Sequence, residues 1–476
     1  MGQEIATSEV FDEDGFKARL REETQLILSW FKADAFERRD PPLIGAEVEG
    51  WLLDRDLIPT PQNLDFLKAA DHEDLDSELS QFNFELNLNP QSLQGDGLAA
   101  LEGGFETLWR HCCASADQIG TRAALIGIPP TLREGMLDLE AMTPTNRYAA
   151  LNARVMQLRG GEPLKYEFDG REPYELAENH LMLEAACTSL QTHLMLDPDT
   201  HVRQMNAALV ASAPVLAVSV NAPYLHGRRL WEETRIPAFE QAINLRSFRE
   251  KGGRKVGRVD FGSGYVRKSL MEWFLENLDG HPPLLPVIED APIEKLRHFK
   301  LQNGTLWRWN RPIIDVNKQG VPHMRVENRI TPAGPTPVDM TANAAFFIGL
   351  VLHLSALETP PETQLPFETI RNDFYAAAKS GLGAEISWLN GQTGNVQALI
   401  AHELADQAEA ALIKADVNPD SAKRYMDVIR GRTRTGMTGA AWQRAWVNCN
   451  GRDFQGLMEA YLGFQSTGKP VHTWTI

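Results

Sequence analysis

Cysteine is scarce in this chain. The 476 residues include four, Cys112, Cys113, Cys187 and Cys449. Cys112 and Cys113 are adjacent and not expected to pair with each other, and no C-x-x-C spacing occurs, which excludes a disulfide scaffold and a zinc ribbon. Basic residues are in deficit. The 47 Lys+Arg against 64 Asp+Glu give a formal charge of −17, and a surface that negative repels nucleic acid and anionic lipid. Long apolar runs are missing as well. Ala207–Val220 is interrupted by Ser212, Pro214 and Ser219, short of the ~20 continuous apolar residues of a membrane span. The acidic start, MGQEIATSEVFDEDG, lacks the apolar stretch of a signal peptide. The expectation is a reducing, cytoplasmic setting with neither nucleic acid nor membrane as partner. Familiar site motifs are absent too. There is no G-x-x-x-x-G-K-[ST], and FGSGYV lacks the third glycine of a dinucleotide fingerprint. Neither H-E-x-x-H nor G-x-S-x-G occurs.

What is present is an ordinary globular composition, 43% hydrophobic and 23% charged, on a chain long enough for a large core. Residues 14–34 place apolar side chains at helical spacing, and Leu98–Arg122 reads the same way. Leu43–Asp54, Gln81–Pro90 and Thr188–Leu196 alternate as strands, and ALIGIPP reads as a short strand stopped by prolines. The polar middle, including GGEPLKYEFDGREPYE, reads as loops and short hairpin arms. A helix capped by Asp197 or Asp199 is predicted to run to the vicinity of Pro214. Residues 304–316 and 323–330 suggest paired strands, 337–358 an apolar helix, and the chain from 361 onward is helical in pattern. No internal repeat or long linker divides it. The expected organisation is a catalytic core over 1–360 and a helical portion, 361–476, packed on it.

The informative feature is phase. Side chains two apart on a strand share a face. Glu47, Glu49 and Trp51 fall together, as do Gln81, Asn83, Glu85, Asn87 and Asn89, then Ser189, Gln191 and His193, and finally Arg325, Glu327 and Arg329. Each set opposes an apolar one. For any single strand, a half-solvated antiparallel sheet accounts for the pattern. Taken together, the polar faces carry carboxylates, amides, His and Arg but no Lys, which is not the composition of a solvated face.

Glu47 and Glu49 on one face lie roughly 7 Å apart, with a repulsion of about 2 kcal/mol at an effective dielectric of ~20. Adding Glu85 and Glu327 to the same concavity calls for cations, and hard divalent ions with oxygen ligands suit it, Mg²⁺ with its phosphates above all. His193 could also ligate, which fits Mn²⁺ better than Mg²⁺. Several metals on an acidic sheet face, with Arg329 two residues from Glu327, suit phosphoryl transfer from ATP. The amides Asn87 and Gln191 on the same faces are candidate substrate-binding groups, joined by Arg311, which a neighbouring strand would aim at the same concavity. The Gly- and Arg/Lys-rich segment 251–269 offers Arg254, Lys255 and Arg258 to ATP phosphates, with a plain surface loop as the alternative.

The motifs GAEVEGWLLD, QFNFELN, TSLQTHL, VNAPYLHGRRLWEETRIPAFEQ and RVENRITPAGPTPVDMTANAAF resemble the glutamate–cysteine ligase family, especially its bacterial carboxylate–amine ligase branch, over roughly residues 40–350. The resemblance implies an α+β, glutamine-synthetase-like fold, in which a curved antiparallel sheet forms a funnel with helices on its outer face. It implies ATP-driven phosphorylation of a substrate γ-carboxylate, then attack by an amine, with glutamate and cysteine as substrates. Glu47 and Glu49 match the family's first metal-binding pair, Glu85 its E-L-N carboxylate, His193 its strand histidine, and Glu327 its bridging carboxylate. Arg329 matches the arginine that contacts the transferring phosphoryl group, and Arg235 an anchor for a substrate carboxylate. Another amine acceptor, or a metal-dependent hydrolase using the same carboxylates, remains open.

Overall fold

The structure is a computed structural model that describes residues 12–245 and 256–476. Its centre is a seven-stranded antiparallel sheet. The strands are β1 (Leu43–Leu53), β2 (Leu75–Ser77), β3 (Asn83–Ser92), β4 (Arg122–Ala124), β7 (Leu190–Met195), β10 (Asn310–Val316) and β11 (Pro322–Asn328), in the order β10-β11-β7-β1-β3-β2, with β4 paired to β1. Three small hairpins stand apart from it: β5 (Leu164–Phe168) with β6 (Tyr174–Glu178), β8 (Tyr224–Leu225) with β9 (Arg228–Arg229), and β12 (Glu385–Ser387) with β13 (Thr393–Asn395). The period-two pattern settles which face is which. Val48, Leu52, Phe84, Leu86, Leu190, Leu194 and Val326 are fully buried behind the sheet.

Helices cover that apolar face. His201–Ser219 and Pro337–Ser355 pack on each other and against the strands, and Gly97–Gln118 packs against β3. Pro337–Ser355 starts cleanly because the Thr336 side chain accepts from the Asp339 N–H and proline occupies the first turn. It is long and apolar enough to cross a membrane on composition alone, but most of its surface is buried inside the fold, as a core helix requires. The sheet curls its other, polar face into a half-barrel. The helix Asn146–Leu158 and the 3₁₀ turn Met182–Ala186 lie over part of that concave face.

Several sequence expectations are corrected here. The helix His201–Ser219 does not stop at Pro214 but runs five residues past it. A proline inside a helix forfeits one backbone hydrogen bond, and from Gln204 onward this helix is buried on every side, so the packing holds it. Its first turn is entered from Thr200, while Asp197 accepts from the N–H groups of Asp199 and Thr200 just outside. The short strand lies at Arg122–Ala124, ahead of most of ALIGIPP. Strand β3 begins at Asn83 because the Gln81 side chain is drawn off to the carbonyls of Glu140 and Met142. Asn146–Leu158, read as loop, is helical with Thr145 as its cap.

Candidate active site

Antiparallel register brings the polar faces of five strands together. Glu49 pairs with Glu85, Glu47 lies between Asn87 and Gln191, and His193 pairs with Glu327, which in turn faces Arg311. The acids do not form one cluster. They divide into two triads, Glu47–His193–Glu327 and Glu49–Glu78–Glu85, and within each the ligand atoms lie within 4.8 Å of one another. The E-x-E pair of β1 is therefore split, with Glu47 serving one triad and Glu49 the other.

The triads differ in how they are balanced. Glu327 is 1% exposed and holds a bidentate pair with Arg311, at 2.7 and 2.8 Å, plus a 3.2 Å contact from Arg329. Burial alone would push its carboxyl up, but the charges of Arg311, Arg329 and His193 outweigh burial and hold it far below the ordinary carboxylate range. Burial likewise opposes ionisation of Glu47, and the charge of His193 reverses that. The His193 Nε2 atom sits 3.3 Å from Glu47 and 3.9 Å from Glu327 without a hydrogen bond to either, while Arg325 donates to Nδ1 at 3.1 Å. Ligation of a metal at Nε2 requires that atom to be free of a proton.

In the second triad burial is the leading influence and like charges add to it. Glu49 is pushed up to about 7 by burial and by Glu78, against Arg329. Glu85 is raised well above the carboxylate range by burial, then by Glu47, Glu78 and Glu49. Glu78 is raised by burial. Three carboxylates crowded together with too little positive charge form an oxygen donor set suited to a hard divalent cation. The residues present fit such an ion.

A hydrogen-bonded chain joins the triads. Arg329 contacts Glu327 and donates to the Gln191 side-chain oxygen, and Gln191 donates to Glu49 at 3.1 Å. Ser189 completes the hold on Glu49 through its backbone N–H, at 2.6 Å, and its hydroxyl, at 3.2 Å. On either side of this chain lies a cavity. An outer one of about 370 Å³ is bounded by Glu47, Asn87, His193 and Arg325 together with apolar Leu43 and Met195. An inner one of about 80 Å³ lies over Glu49, Glu85, Gln191 and Arg329, under Tyr148, Glu184 and Trp307.

Not every residue singled out from the sequence faces these cavities. Arg311 is spent on Glu327 and the Gly304 carbonyl. Arg235 is 1% exposed, with its guanidinium on Glu233 at 2.8 Å and the Ile330 carbonyl at 2.7 Å. Arg258 is also 1% exposed, donates to the Thr305 and Pro282 carbonyls, and is pushed down to about 9 by burial. It is built into the fold rather than presented by an open loop. Arg254 and Lys255 lie outside the described residues. Asn87 sits at the rim and donates to Asp76 at 3.2 Å. Two acids were not anticipated. Glu78 follows β2, and the alternation of Asp76 and Glu78 with Leu75, Ser77 and Leu79 was the available signal. Glu184 is a lone acid in the apolar run LMLEAAC.

The sequence profile described as glutamate–cysteine ligase family 2 matches residues 43–463. No curated protein sequence matches the chain. Among solved structures, the glutamate–cysteine ligase of Francisella tularensis, in complex with AMP, is similar in fold, with TM-score 0.52 at 9% identity, covering 92% of this chain and 90% of that one. A bifunctional glutathione synthetase from Pasteurella multocida is similar with TM-score 0.51 at 11% identity, covering 96% of this chain and 54% of that longer one. With the family profile spanning the whole sheet and both triads, the chain belongs to glutamate–cysteine ligase family 2 and is an enzyme of the carboxylate–amine ligase type.

Proposed function

We propose that this enzyme uses ATP and a divalent cation, Mg²⁺ or Mn²⁺, to phosphorylate a substrate carboxylate and then forms an amide from the acyl phosphate and an amine. The γ-carboxylate of glutamate is the donor and cysteine the leading acceptor, as the family's description suggests. The observation that carries this reading is the Glu327–Arg329–Gln191–Glu49 chain, which sets an arginine between two carboxylate triads on one sheet face.

In this reading the roomier outer cavity takes the nucleotide and the tighter inner one the amino-acid carboxylate. Glu49, Glu78 and Glu85 would hold one cation, and Glu47 and Glu327 with His193 another; such ions would supply neutralisation of phosphate oxygens and polarisation of the phosphoryl group. A carboxylate oxygen of the donor attacks the γ-phosphorus, and the bond from phosphorus to the ADP oxygen breaks. Arg329 then meets charge that grows on the transferring group. The amine nitrogen attacks the acyl carbon, the bond from that carbon to the phosphate oxygen breaks, and the nitrogen gives up its extra proton. Gln191 keeps Arg329 and Glu49 in register throughout.

The test is an isotope transfer. With ¹⁸O in the glutamate γ-carboxylate, label should appear in released phosphate, and only when ATP and an amine are both present. Label confined to the amino-acid product would refute the acyl phosphate. Substrate cleavage without ATP would point instead to a hydrolase.

A further inference from the structure

The inner cavity is too small for the donor as the protein stands. It measures about 80 Å³, against ~300–1,000 Å³ for sites that enclose a small molecule. Its floor, with Glu49, Glu85 and Gln191, is sheet backed by packed apolar side chains such as Val48, Phe84 and Leu190. Its roof includes Tyr148 and Leu151 of the helix Asn146–Leu158. Of that helix's 13 residues only Leu151 and Val155 are buried, whereas Gly97–Gln118 buries ten of its 22. What holds the helix down is mostly polar. The Tyr148 hydroxyl donates to the Ser77 carbonyl at 3.2 Å, and the Asn152 side chain accepts from the Leu181 N–H at 3.1 Å. Arg154 donates to Glu13 at 2.5 Å and to the Pro283 carbonyl at 3.3 Å. Water replaces bonds of this kind at little net cost. Just before the helix, buried Thr143 pins the chain by donating to the Glu78 carbonyl at 2.5 Å. Just after it, Gly160 and Gly161 lie at φ 68° and 78°, with open space where a Cβ would stand. Between the pin and the glycines the helix can roll outward.

We infer that the helix Asn146–Leu158 is a lid that opens to admit the donor amino acid, and that Tyr148 is the positioning residue that latches it shut for the reaction. This rests on the reading of the inner cavity as the donor's site. The latch falls on Ser77, one residue before Glu78, so closure also steadies an acid of the second triad. A closed lid keeps water from the acyl phosphate. Without the latch, water takes the place of the amine. Its oxygen adds to the acyl carbon, the bond from that carbon to the phosphate oxygen breaks, and the water gives up a proton. The donor is then returned unchanged, and phosphate is released with no amide formed.

Two measurements test this, on Tyr148→Phe and Asn152→Ala beside the parent, with melting curves to establish folding. The first is hydrogen exchange read by mass spectrometry. In the free parent, peptides from 146–158 should exchange about tenfold or more faster than those from Gly97–Gln118. They should gain protection with Mg²⁺, a non-hydrolysable ATP analogue and L-glutamate together, and gain less when glutamate is withheld. The second is the ratio of products. The parent should release phosphate and amide in equal amounts. Tyr148→Phe should release about twofold or more phosphate per amide, with a raised KM for glutamate, and should hydrolyse ATP with glutamate when the amine is withheld. Asn152→Ala should show the same leak to a smaller degree. Exchange in 146–158 as slow as in Gly97–Gln118, no added protection from glutamate, or equal phosphate and amide from a folded Tyr148→Phe would each overturn the inference. If the parent forms no amide from ATP but glutamate still protects 146–158, the ligase reading fails and the lid stands.

Discussion

Glu49 and Glu85 face each other across β1 and β3 with Glu78 beside them, and this crowding has a sign in pH. Glu49 is raised to about 7, Glu184 to about 8, and Glu85 well above the carboxylate range, burial being the first cause in each. In the unfolded chain these groups titrate near ~4.3. Between about pH 4.5 and 8 these groups therefore hold more protons in the folded state than in the unfolded one, and their contribution to stability falls as pH rises through that window. Glu47 and Glu327 are shifted the other way, and their contribution is lost only in acid, below that window. Buried His226 and His281 are shifted down and oppose this trend, so the carboxylates are read by difference. Metal-free parent should lose more melting temperature, or gain less, between pH 5.5 and pH 8 than Glu85→Gln, and saturating Mg²⁺ or Mn²⁺ should remove most of that difference. An equal pH dependence in parent and Glu85→Gln would contradict the account. Arg329 is tested by rate. Arginine contributes ~10³–10⁵ in phosphoryl transfer, so a folded Arg329→Ala should lose more than tenfold in kcat with little change in KM, and Arg329→Lys should restore only part of it. A folded Ala variant with full kcat would show that Arg329 only binds. The residues of both triads that sit on strands could be read from alternation, because period two assigns a face without knowledge of the partner strand. How they group could not, because register across strands decides that Glu47 joins His193 and Glu49 joins Glu78.

At the scale of the elements, the sheet places the site by what lies behind it. Gly50 pairs with Phe84 across β1 and β3, and a Cβ added there would meet the Phe84 ring at 2.6 Å. Gly50 sits one residue from Glu49, and Phe84 one residue from Glu85, so the seating of the Phe84 ring on Gly50 also bears on the approach of the two acids. Gly50→Val should overpack the sheet by about 1–3 kcal/mol, seen as a lower urea midpoint, and it should weaken divalent-metal binding although no ligand is altered. Unchanged metal affinity in a destabilised variant would separate the strand pairing from the site. The sheet was legible because its strands alternate cleanly over six to eleven residues. The lid over the inner cavity was not. The helix Asn146–Leu158 has only Leu151 and Val155 buried, too few apolar positions to set its period. The turn that carries Glu184 is five residues long, below the length at which any period can be recognised. The passage through Pro214 was missed for the opposite reason, since burial by neighbouring helices overrides a local breaker and leaves no trace in local sequence.

The whole molecule is tied together away from the site, where the C-terminal helices meet the core helix Pro337–Ser355. Arg432, on the helix Pro419–Thr435, is 1% exposed and donates to Asp339 at 2.8 Å, to Asn343 at 2.6 Å, and to the Val218 carbonyl at 3.2 Å. Asp339 also accepts from the Val471 N–H at 3.0 Å, and Thr336 caps the same helix beneath it. One buried carboxylate thus fastens a core helix, an outer helix and the chain near its C-terminus. A second seam runs from Asn221 to Tyr461 at 2.9 Å, and from Tyr461 to the Leu125 carbonyl, directly after β4, at 3.0 Å. Removing one partner of a buried ion pair costs about 3–5 kcal/mol, because the other charge is left without compensation. Arg432→Met should therefore lower global stability by an amount of that order. The two seams and the shared helix further require that the loss be felt by the sheet as well as by the outer helices. Hydrogen exchange read by mass spectrometry can tell these cases apart. If the stretch from 361 onward and the core open as one cooperative unit, peptides from β1, β3 and β7 should lose protection in the variant together with those from Pro419–Thr435 and Phe454–Gln465. Faster exchange confined to residues 361–476, with the strands protected as in the parent, would show instead that the helical portion is a separate unit that the sheet can do without.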